Sequence, residues 1–197
     1  ATVLAGRLAD PAEQSMVRVI RDSGEHLLGV INDILDLAKI ESGKLVLDPR
    51  PIRLPDILSR VASLHQVAAT DKKVQLVTRC TGGAPGEVRQ GDEMRLIQIL
   101  HNLLGNALKF TDQGSVTVEI DCSAADRVII TVRDTGIGMS AAEIARAFEE
   151  FTQGMGGSRR SHVGTGLGLP IVRKLARLMR GDVTLASVQG QGVTARA

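Results

Sequence analysis

Aromatic residues are nearly absent from this chain of 197 residues, which contains three Phe and neither Tyr nor Trp. Such a chain cannot offer the stacked aromatic platforms on which single-stranded nucleic acids bind. Its 24 basic residues are nearly balanced by 22 acidic ones, too even a ratio for the basic footprint of a nucleic-acid-binding protein. The composition therefore predicts no nucleic-acid partner.

Cysteines and long apolar runs are also scarce. Cys80 and Cys122 have neither CxxC spacing nor a histidine cluster near them, so we predict two free packing thiols and no zinc site or disulfide framework. No apolar stretch reaches the ~18 residues of a membrane span, and the first residues do not follow the order of a signal peptide. We expect a cytoplasmic chain that makes no membrane contact.

Glycine, by contrast, is in excess. The chain has 21 glycines, more than the average usage of about 7%. Many of them lie between Gly136 and Gly192. Because glycine lets a backbone turn tightly and approach a ligand closely, the chemistry is expected in the second half of the chain.

A long amphipathic helix is predicted close to the N-terminus. Its apolar residues follow a heptad seam: Met16, Ile20, Leu27, Val30, Ile34 and Leu37. Apolar neighbours widen this seam beyond what one partner helix would cover, so residues 12–40 predict a four-helix dimer of two helical hairpins. The alternative is a helix packed on its own domain. A proline-punctuated break at residues 47–51 predicts a boundary between domains 1–46 and 47–197.

Helices and strands are interspersed after this break. Helices are predicted at 55–69, at 92–110 with Asp92 as N-cap, after the capping box 140–143, and at 170–179. Strands are predicted at 74–77, 87–89, 116–120, 128–132, 183–186 and 191–195. With strands joined mostly by hairpins, the pattern predicts an α+β fold, an α/β sandwich in which helices cover one face of a mixed sheet.

One predicted helix carries a line of polar side chains. Gln98, Asn102, Asn106 and Lys109 follow one another at spacings of four, four and three residues, which places them on one face. Asparagine is unfavourable inside helices because its side chain competes for backbone hydrogen bonds. Two asparagines four residues apart therefore suggest a ligand, and a solvated helix face is the alternative.

Two glycine motifs flank a long connection. Asp134-Thr135-Gly136-Ile137-Gly138 follows a predicted strand, and a carboxylate there can accept a hydrogen bond from an exocyclic amine such as that of adenine. Gly164-Thr165-Gly166-Leu167-Gly168 enters a helix, whose first N–H groups suit phosphate. Either motif could equally be an ordinary turn.

The connection between the motifs, residues 152–163, has no periodicity, and loops of such length are commonly lids or disordered. Arg159 and Arg160 within it could pair with terminal phosphate oxygens. Two solvated charges on a mobile loop are the alternative, and the residues alone favour that alternative.

The order of these motifs is more specific than any one of them. An Asn-x-x-x-Asn-Ala-x-Lys-Phe helix, then Asp-x-Gly-x-Gly, then residues 148–151 (Phe-Glu-Glu-Phe) and finally Gly-Thr-Gly-Leu-Gly-Leu resemble the N, G1, F and G2 boxes of sensor histidine kinases. Residues 23–36 resemble the second helix of that family's dimerisation hairpin. The resemblance implies the Bergerat ATP-binding fold preceded by a helical hairpin, with a second copy of the chain and a response-regulator receiver domain as partners.

The resemblance also implies roles for individual residues with ATP and Mg²⁺. Asn106 would coordinate Mg²⁺, Asn102 would face the same phosphates, Lys109 would contact phosphate, and Asp134 would bind the adenine amine. The lid arginines Arg159 and Arg160 would neutralise charge on the transferred phosphoryl group. The remaining residues of the two glycine boxes would shape the nucleotide pocket and the hinges of its lid: Gly136, Ile137, Gly138, Gly164, Thr165, Gly166, Leu167 and Gly168.

The sequence departs from the family pattern at the phosphate acceptor. No histidine is followed by Glu and then Arg-Thr-Pro, so the acceptor is expected upstream of Ala1; His26, His65, His101 and His162 lack that context. The implied reaction is transfer of the ATP γ-phosphoryl group to a histidine and onward to an aspartate. One alternative is a gyrase- or MutL-type ATP hydrolase, in which a glutamate at the Asn102 position activates water. The other is a degenerate nucleotide-binding dimeric scaffold.

Overall fold

The computed structural model describes residues 11–84, 86–152 and 165–197. The chain divides into two compact units, one that ends at Leu45 and one from Val46 to Ala197. The roles predicted for segments 1–46 and 47–197, dimerisation and catalysis, stay predictions.

The first unit is one long helix, α1 (Pro11–Glu41). It ends at Glu41, and Gly43 just beyond adopts φ +66° while the Lys44 N–H donates to the carbonyl of Lys39 at 3.0 Å. Most of its apolar seam faces solvent in the single chain, with Met16 66% and Ile34 45% exposed, whereas Leu37 is buried. The predicted first arm of the hairpin, residues 1–10, lies outside the described residues. Among those described, no helix is long and apolar enough to cross a membrane.

In its described residues, the second unit combines four helices with seven strands. The helices are α2 (Leu54–Asp71), α3 (Glu93–Lys109), α4 (Ala141–Arg146) and α5 (Gly168–Leu178). The strands are β1 (Arg50–Ile52), β2 (Val74–Thr81), β3 (Arg89–Gly91), β4 (Gly114–Asp121), β5 (Ile129–Asp134), β6 (Thr184–Ser187) and β7 (Val193–Arg196). Five strands form one sheet in the order β2-β4-β5-β7-β6, while β1 and β3 pair separately.

The sheet is mixed, as predicted. Strands β2 and β4 are parallel, whereas the other pairs are antiparallel. The prediction of mostly hairpin connections is therefore wrong for β2 and β4, since parallel neighbours need a crossover and the chain between them contains α3.

One face of the sheet is buried beneath helices. Val116, Val118 and Ile120 of β4 are fully buried, and α3 contacts both β4 and β5. Helices α2, α3 and α5 supply the apolar residues of the core, among them Val61, Leu100, Leu104, Ile171 and Leu175. This confirms the predicted sandwich. Because β-strand side chains alternate between faces, Asp134 lies on the same face as Val132 and therefore on the helix side.

Local signals located two helix starts correctly. The Asp92 carboxylate accepts from the Arg95 N–H at 3.1 Å and caps α3. At α4, the Ser140 hydroxyl accepts from the Glu143 N–H while the Glu143 carboxylate accepts from the Ser140 N–H, which is the predicted capping box. Both caps depend on contacts within three residues, which a sequence can reveal.

Other element boundaries differ from the predicted ones, because they depend on pairing between distant segments. The proline-punctuated break is in part a strand, because β1 pairs with β3 about the register Pro51↔Gln90. Strand β3 begins at Arg89 rather than Glu87, whose carboxylate accepts the Ala84 N–H in a turn. Strand β2 continues to Thr81 because it pairs along its whole length with β4.

Helix α5 begins at Gly168 and not at Pro170. The first intrahelical bond runs from the Ile171 N–H to the carbonyl of Leu167 at 3.0 Å, so the residues before Ile171 need no donor inside the helix. Pro170, which has no N–H, therefore fits the first turn.

The two cysteines are both free, as predicted. Cys122 is buried, and burial raises the pKa of its thiol to about 11. Cys80 is exposed. The prediction that both pack in the interior is thus wrong for Cys80, which lies near the end of the edge strand β2 and lines an open groove between α2 and this strand.

Candidate functional site

The two asparagines of α3 face the start of α5. Both side chains are half-buried. A Cβ placed on Gly168 would lie 3.2 Å from Asn102 Oδ1 and 3.6 Å from Asn106 Nδ2, so the missing side chain leaves these amides room. The structure thus brings together Asn102, Asn106 and Gly168, which the sequence analysis grouped from separate motifs.

The start of α5 supplies backbone donors beside these amides. The first N–H groups of a helix have no intrahelical acceptor, and the helix dipole makes this end positive. Leu167 is fully buried, and its N–H donates to Thr165 Oγ1 at 3.2 Å. Leu167 therefore anchors the helix start in the core, and only its backbone can contact a ligand at this surface.

Asp134 ends β5 with one carboxylate oxygen in use. Its Oδ1 accepts from the Gly136 N–H at 2.9 Å and from the Val193 N–H at 3.2 Å, and no described residue donates to Oδ2. Burial raises the pKa of this carboxyl group, while the two N–H bonds act in the opposite direction. The side chain is only 7% exposed. The result is a fixed, desolvated acceptor with one oxygen left for a ligand.

The glycines after Asp134 let three backbone segments meet. A Cβ on Gly136 would overlap the carbonyl oxygen of Phe110, and one on Gly138, which has φ +65°, would overlap that of Val188. The Ile137 N–H donates to the Phe110 carbonyl at 3.2 Å, and the Ile137 carbonyl accepts from the Gly190 N–H at 2.7 Å. The G1-like loop is therefore joined to the C-terminal end of α3.

Lys109 is the positive group on this side of α3. Its ammonium lies 5.0 Å from the centre of the Phe110 ring, and burial lowers its pKa. No carboxylate pairs with it in the described parts of the chain. A partly desolvated cation without an acidic partner is suited to bind an anionic ligand.

Arg159, Arg160 and Gly164 lie outside the described residues. The chain on either side of segment 153–164 is described, and its two ends meet. A Cβ on Gly166, where φ is +70°, would lie 2.8 Å from the carbonyl carbon of Phe151 and 2.9 Å from the Thr152 oxygen. Phe151, Thr152 and Gly166 are thus in contact with one another beside the start of α5.

Two basic residues that the sequence analysis did not select connect α5 to the Phe-Glu-Glu-Phe segment. The Arg173 guanidinium lies 4.7 Å from the Phe148 ring centre, and Lys174 Nζ lies 2.8 Å from Glu150 Oε1. Their position one turn beyond the glycine-rich helix start was the available signal. Val193, whose N–H binds Asp134, carried no such signal because a backbone donor leaves no mark in the sequence.

A separate groove of about 610 Å³ lies between α2 and β2. Its lining includes Leu58, Ala62, Val67 and Thr78 but no charged residue and no glycine. A polyanion needs positive charge or convergent N–H donors. This groove therefore does not fit a nucleotide, unlike the surface formed by α3, the start of α5 and Asp134.

Two histidines of the second unit pack against each other. The ring centres of His65 and His101 lie 4.7 Å apart, with the ring planes tilted by 50°. Burial, and secondarily the neighbouring His101, lower the pKa of His65 to about 4, so His65 is neutral near pH 7. A neutral, half-buried imidazole beside a second ring is a packing residue of this unit.

Comparison with known proteins gives a consistent result. The family model described as "Histidine kinase-, DNA gyrase B-, and HSP90-like ATPase" matches residues 91–197. Over 93% of its length, the chain is 37% identical to the signal transduction histidine-protein kinase BarA of Escherichia coli K12. It is 41% identical over 92% of its length to the circadian input-output histidine kinase CikA of Synechococcus elongatus. The chain covers 20% of BarA and 24% of CikA.

Solved structures share the fold. Full-length ShkA, whose crystal structure contains AMPPNP, matches 98% of the chain with a TM-score of 0.80 and 35% identity, and the match covers 40% of ShkA. The histidine kinase AdeS of Acinetobacter baumannii matches 98% of the chain with a TM-score of 0.73 and 17% identity, a likeness in fold alone.

Proposed function

The chain belongs to the histidine kinase-, DNA gyrase B-, and HSP90-like ATPase family and contains an ATP-binding catalytic core of the sensor histidine kinase type, and from this premise we propose that it transfers the γ-phosphoryl group of Mg-ATP to a histidine. The observation that carries the proposal is the convergence of Asn102 and Asn106 on the start of α5, with the free oxygen of Asp134 at the end of the neighbouring strand.

Adenine binds at Asp134 in this proposal. The Oδ2 atom, which receives no hydrogen bond from the described residues, accepts from the exocyclic amine. Guanine presents a carbonyl oxygen at the same position, which a carboxylate repels. Gly136 and Gly138 keep the adjacent backbone close to the base because neither position has room for a side chain.

The phosphates lie between α3 and the start of α5. Lys109 and the first N–H groups of α5 supply positive charge, and Asn106 offers an amide oxygen to Mg²⁺. The donor set fits a metal that arrives with the nucleotide, since Mg²⁺ usually takes only one or two protein ligands plus phosphate oxygens and waters. In agreement, the described residues hold no group of three or more His, Cys, Asp or Glu side chains that could bind a metal without it. The bound ion would neutralise phosphate charge.

Phosphoryl transfer needs positioning and charge neutralisation more than a base. Asn102 cannot accept a proton, so water is not activated at the position where the hydrolases of this family use a carboxylate. We therefore favour transfer to a histidine over ATP hydrolysis. The two lid arginines, Arg159 and Arg160, remain proposed contacts of the terminal phosphate.

Labelled ATP tests the reaction. The chain is incubated with γ-labelled Mg-ATP and a dimerisation hairpin of a related sensor kinase that contains an acceptor histidine. We expect acid-labile label on the added hairpin and none on His26, His65, His101 or His162, because only the hairpin holds a histidine in line with the γ-phosphate. Release of inorganic phosphate at the same rate without the hairpin, or label on one of those four histidines, would contradict the assignment.

Sensor kinases of this kind act with partners, and for this chain we propose two. The exposed apolar seam of α1 pairs with the same seam of a second copy, and the phosphoryl group passes onward to an aspartate of a response-regulator receiver domain. Because ATP and response regulators are intracellular, we place this reaction in the cytoplasm.

Disruption of the seam is expected to separate the dimer. The double variant Leu27→Asp, Ile34→Asp places two unpaired carboxylates inside the proposed bundle, and burial of such charges is strongly unfavourable. Light scattering should give the mass of two chains for the parent and of one for the variant. Asn32→Asp, which adds one charge beside the seam, should stay dimeric. A parent that is monomeric at all accessible concentrations would refute the bundle formed by this chain.

A further inference from the structure

Lys72 lies where α2 ends, and its side chain reaches a different helix. Its N–H donates to the carbonyl of Ala68 and closes α2. Its ammonium donates to the carbonyls of Leu108 at 2.8 Å and Lys109 at 3.0 Å, with a longer contact to that of Thr111 at 3.4 Å. These carbonyls belong to the last turn of α3 and the residues just after it.

The match between this cation and its acceptors is close. The last carbonyls of a helix have no partners inside the helix and form its negative end. An ammonium has three donors, and three carbonyls converge on it. No carboxylate pairs with Lys72 in the portion of the chain that the structure describes. Its charge is therefore directed to the backbone at the end of α3.

The backbone that Lys72 holds is part of the nucleotide site. The carbonyls of Lys109 and Thr111 flank the peptide unit whose oxygen is the Phe110 carbonyl. That oxygen accepts the Ile137 N–H and packs against Gly136, while the Phe110 N–H donates to the carbonyl of Asn106 at 3.1 Å. A shift of this peptide would move the proposed phosphate contact at Lys109 and the loop that follows Asp134.

We propose that Lys72 is a positioning residue for nucleotide binding, which fixes the end of α3 so that the phosphate side and the adenine side of the site keep their spacing. It does not touch the nucleotide and acts through the backbone of residues 108–111. This inference rests on the proposed nucleotide site, and it adds a residue from the far side of α3 to that site.

The chain offers a matched control in Arg89. Its guanidinium also donates to backbone carbonyls, at 2.6 Å to Ala124 and 2.7 Å to Cys122, and also pairs with Glu87. Those carbonyls lie in the connection between β4 and β5, at the end of the sheet opposite to Asp134. Lys72→Met and Arg89→Met both remove a cation from backbone acceptors, but only the first does so at the nucleotide site.

The experiment measures Mg-ATP affinity by calorimetry, at a temperature where circular dichroism shows each variant fully folded, together with the unfolding midpoint. We expect both variants to lower the midpoint. Lys72→Met should weaken Mg-ATP binding about tenfold, as loss of an orienting partner commonly does, whereas Arg89→Met should keep the parent affinity. Lys72→Arg, which can still donate to the carbonyls, should restore most of the affinity.

Two results would overturn the proposal: parent-like affinity in Lys72→Met, or an equal loss in Arg89→Met, which would show a general effect of stability. Where Lys72→Met does not fold, Lys72→Gln, whose amide keeps part of the donor capacity, is tested instead, and an unfolding midpoint below that of the parent together with parent-like affinity would overturn the proposal. A parent that does not bind Mg-ATP would refute the nucleotide site itself, which is a different failure.

Discussion

Replacing Asn106 with alanine is expected to weaken Mg-dependent ATP binding about 10- to 150-fold, since a lost contact to a charged group costs ~1.5–3 kcal/mol. The amide is half-buried and faces the start of α5, so no other side chain can take its place. Calorimetry with and without Mg²⁺ measures the change, and most of the loss should vanish when Mg²⁺ is removed from both proteins.

The control for this variant is Asn32→Ala. Asn32 is exposed on α1, outside the unit that contains the nucleotide site, and its loss should leave Mg-ATP affinity unchanged. An Asn106→Ala chain that binds Mg-ATP as tightly as the parent would remove Asn106 from the site.

Replacing Asp134 with asparagine is expected to reduce the preference for ATP over GTP. The variant keeps an oxygen that can accept from the N–H groups of Gly136 and Val193, but the second oxygen becomes an amide donor that opposes the adenine amine. Leaving that amine unpaired in a closed site costs ~1–3 kcal/mol, or about 5- to 150-fold in ATP affinity, and GTP should lose less. Competition between the two nucleotides measures the ratio directly.

Asp121→Asn provides the matched comparison. Asp121 is the last residue of the neighbouring strand β4 and lies at the end of the sheet opposite to Asp134. Its carboxylate accepts from the N–H and hydroxyl of Ser123. Its substitution should leave the ratio of ATP to GTP affinity as it is in the parent. If Asp134→Asn likewise leaves the ratio unchanged, the adenine contact lies elsewhere.

The sequence predicted best what depends on neighbours within one or two helical turns. Asp92 caps α3 through the Arg95 N–H, three residues away. The spacing of Asn102 and Asn106 places both on one side of α3, and the structure places both beside Gly168. A 3.6-residue period and a short polar cap are local properties, so the sequence contains them.

Contacts between distant segments were not predictable in this way. Strand β1 pairs with β3, about 40 residues further along the chain. The predicted break at residues 47–51, whose prolines are typical of a linker, is therefore in part a strand. Gly138 must be glycine because its backbone meets Val188, and Lys72 acts on carbonyls 36 to 39 residues away. No pattern along the chain indicates which far segment a turn or a lysine will reach.

The family resemblance predicted some of these long-range contacts, because the order of the four boxes indicates which segments lie together in the family's fold. Spacing along the chain does not contain this information. It did not indicate Arg173 and Lys174, whose contacts to Phe148 and Glu150 connect α5 to the Phe-Glu-Glu-Phe segment. These contacts depend on how α5 packs against the turn that follows α4, which the boxes do not encode.

A crystal structure of this chain with Mg²⁺ and a non-hydrolysable ATP analogue tests the central claim most directly. We predict the exocyclic amine of adenine within hydrogen-bond distance of Asp134 Oδ2, the phosphates between α3 and the start of α5, and Asn106 Oδ1 bound to the ion. A nucleotide bound away from these residues, for instance in the groove between α2 and β2, would contradict the account.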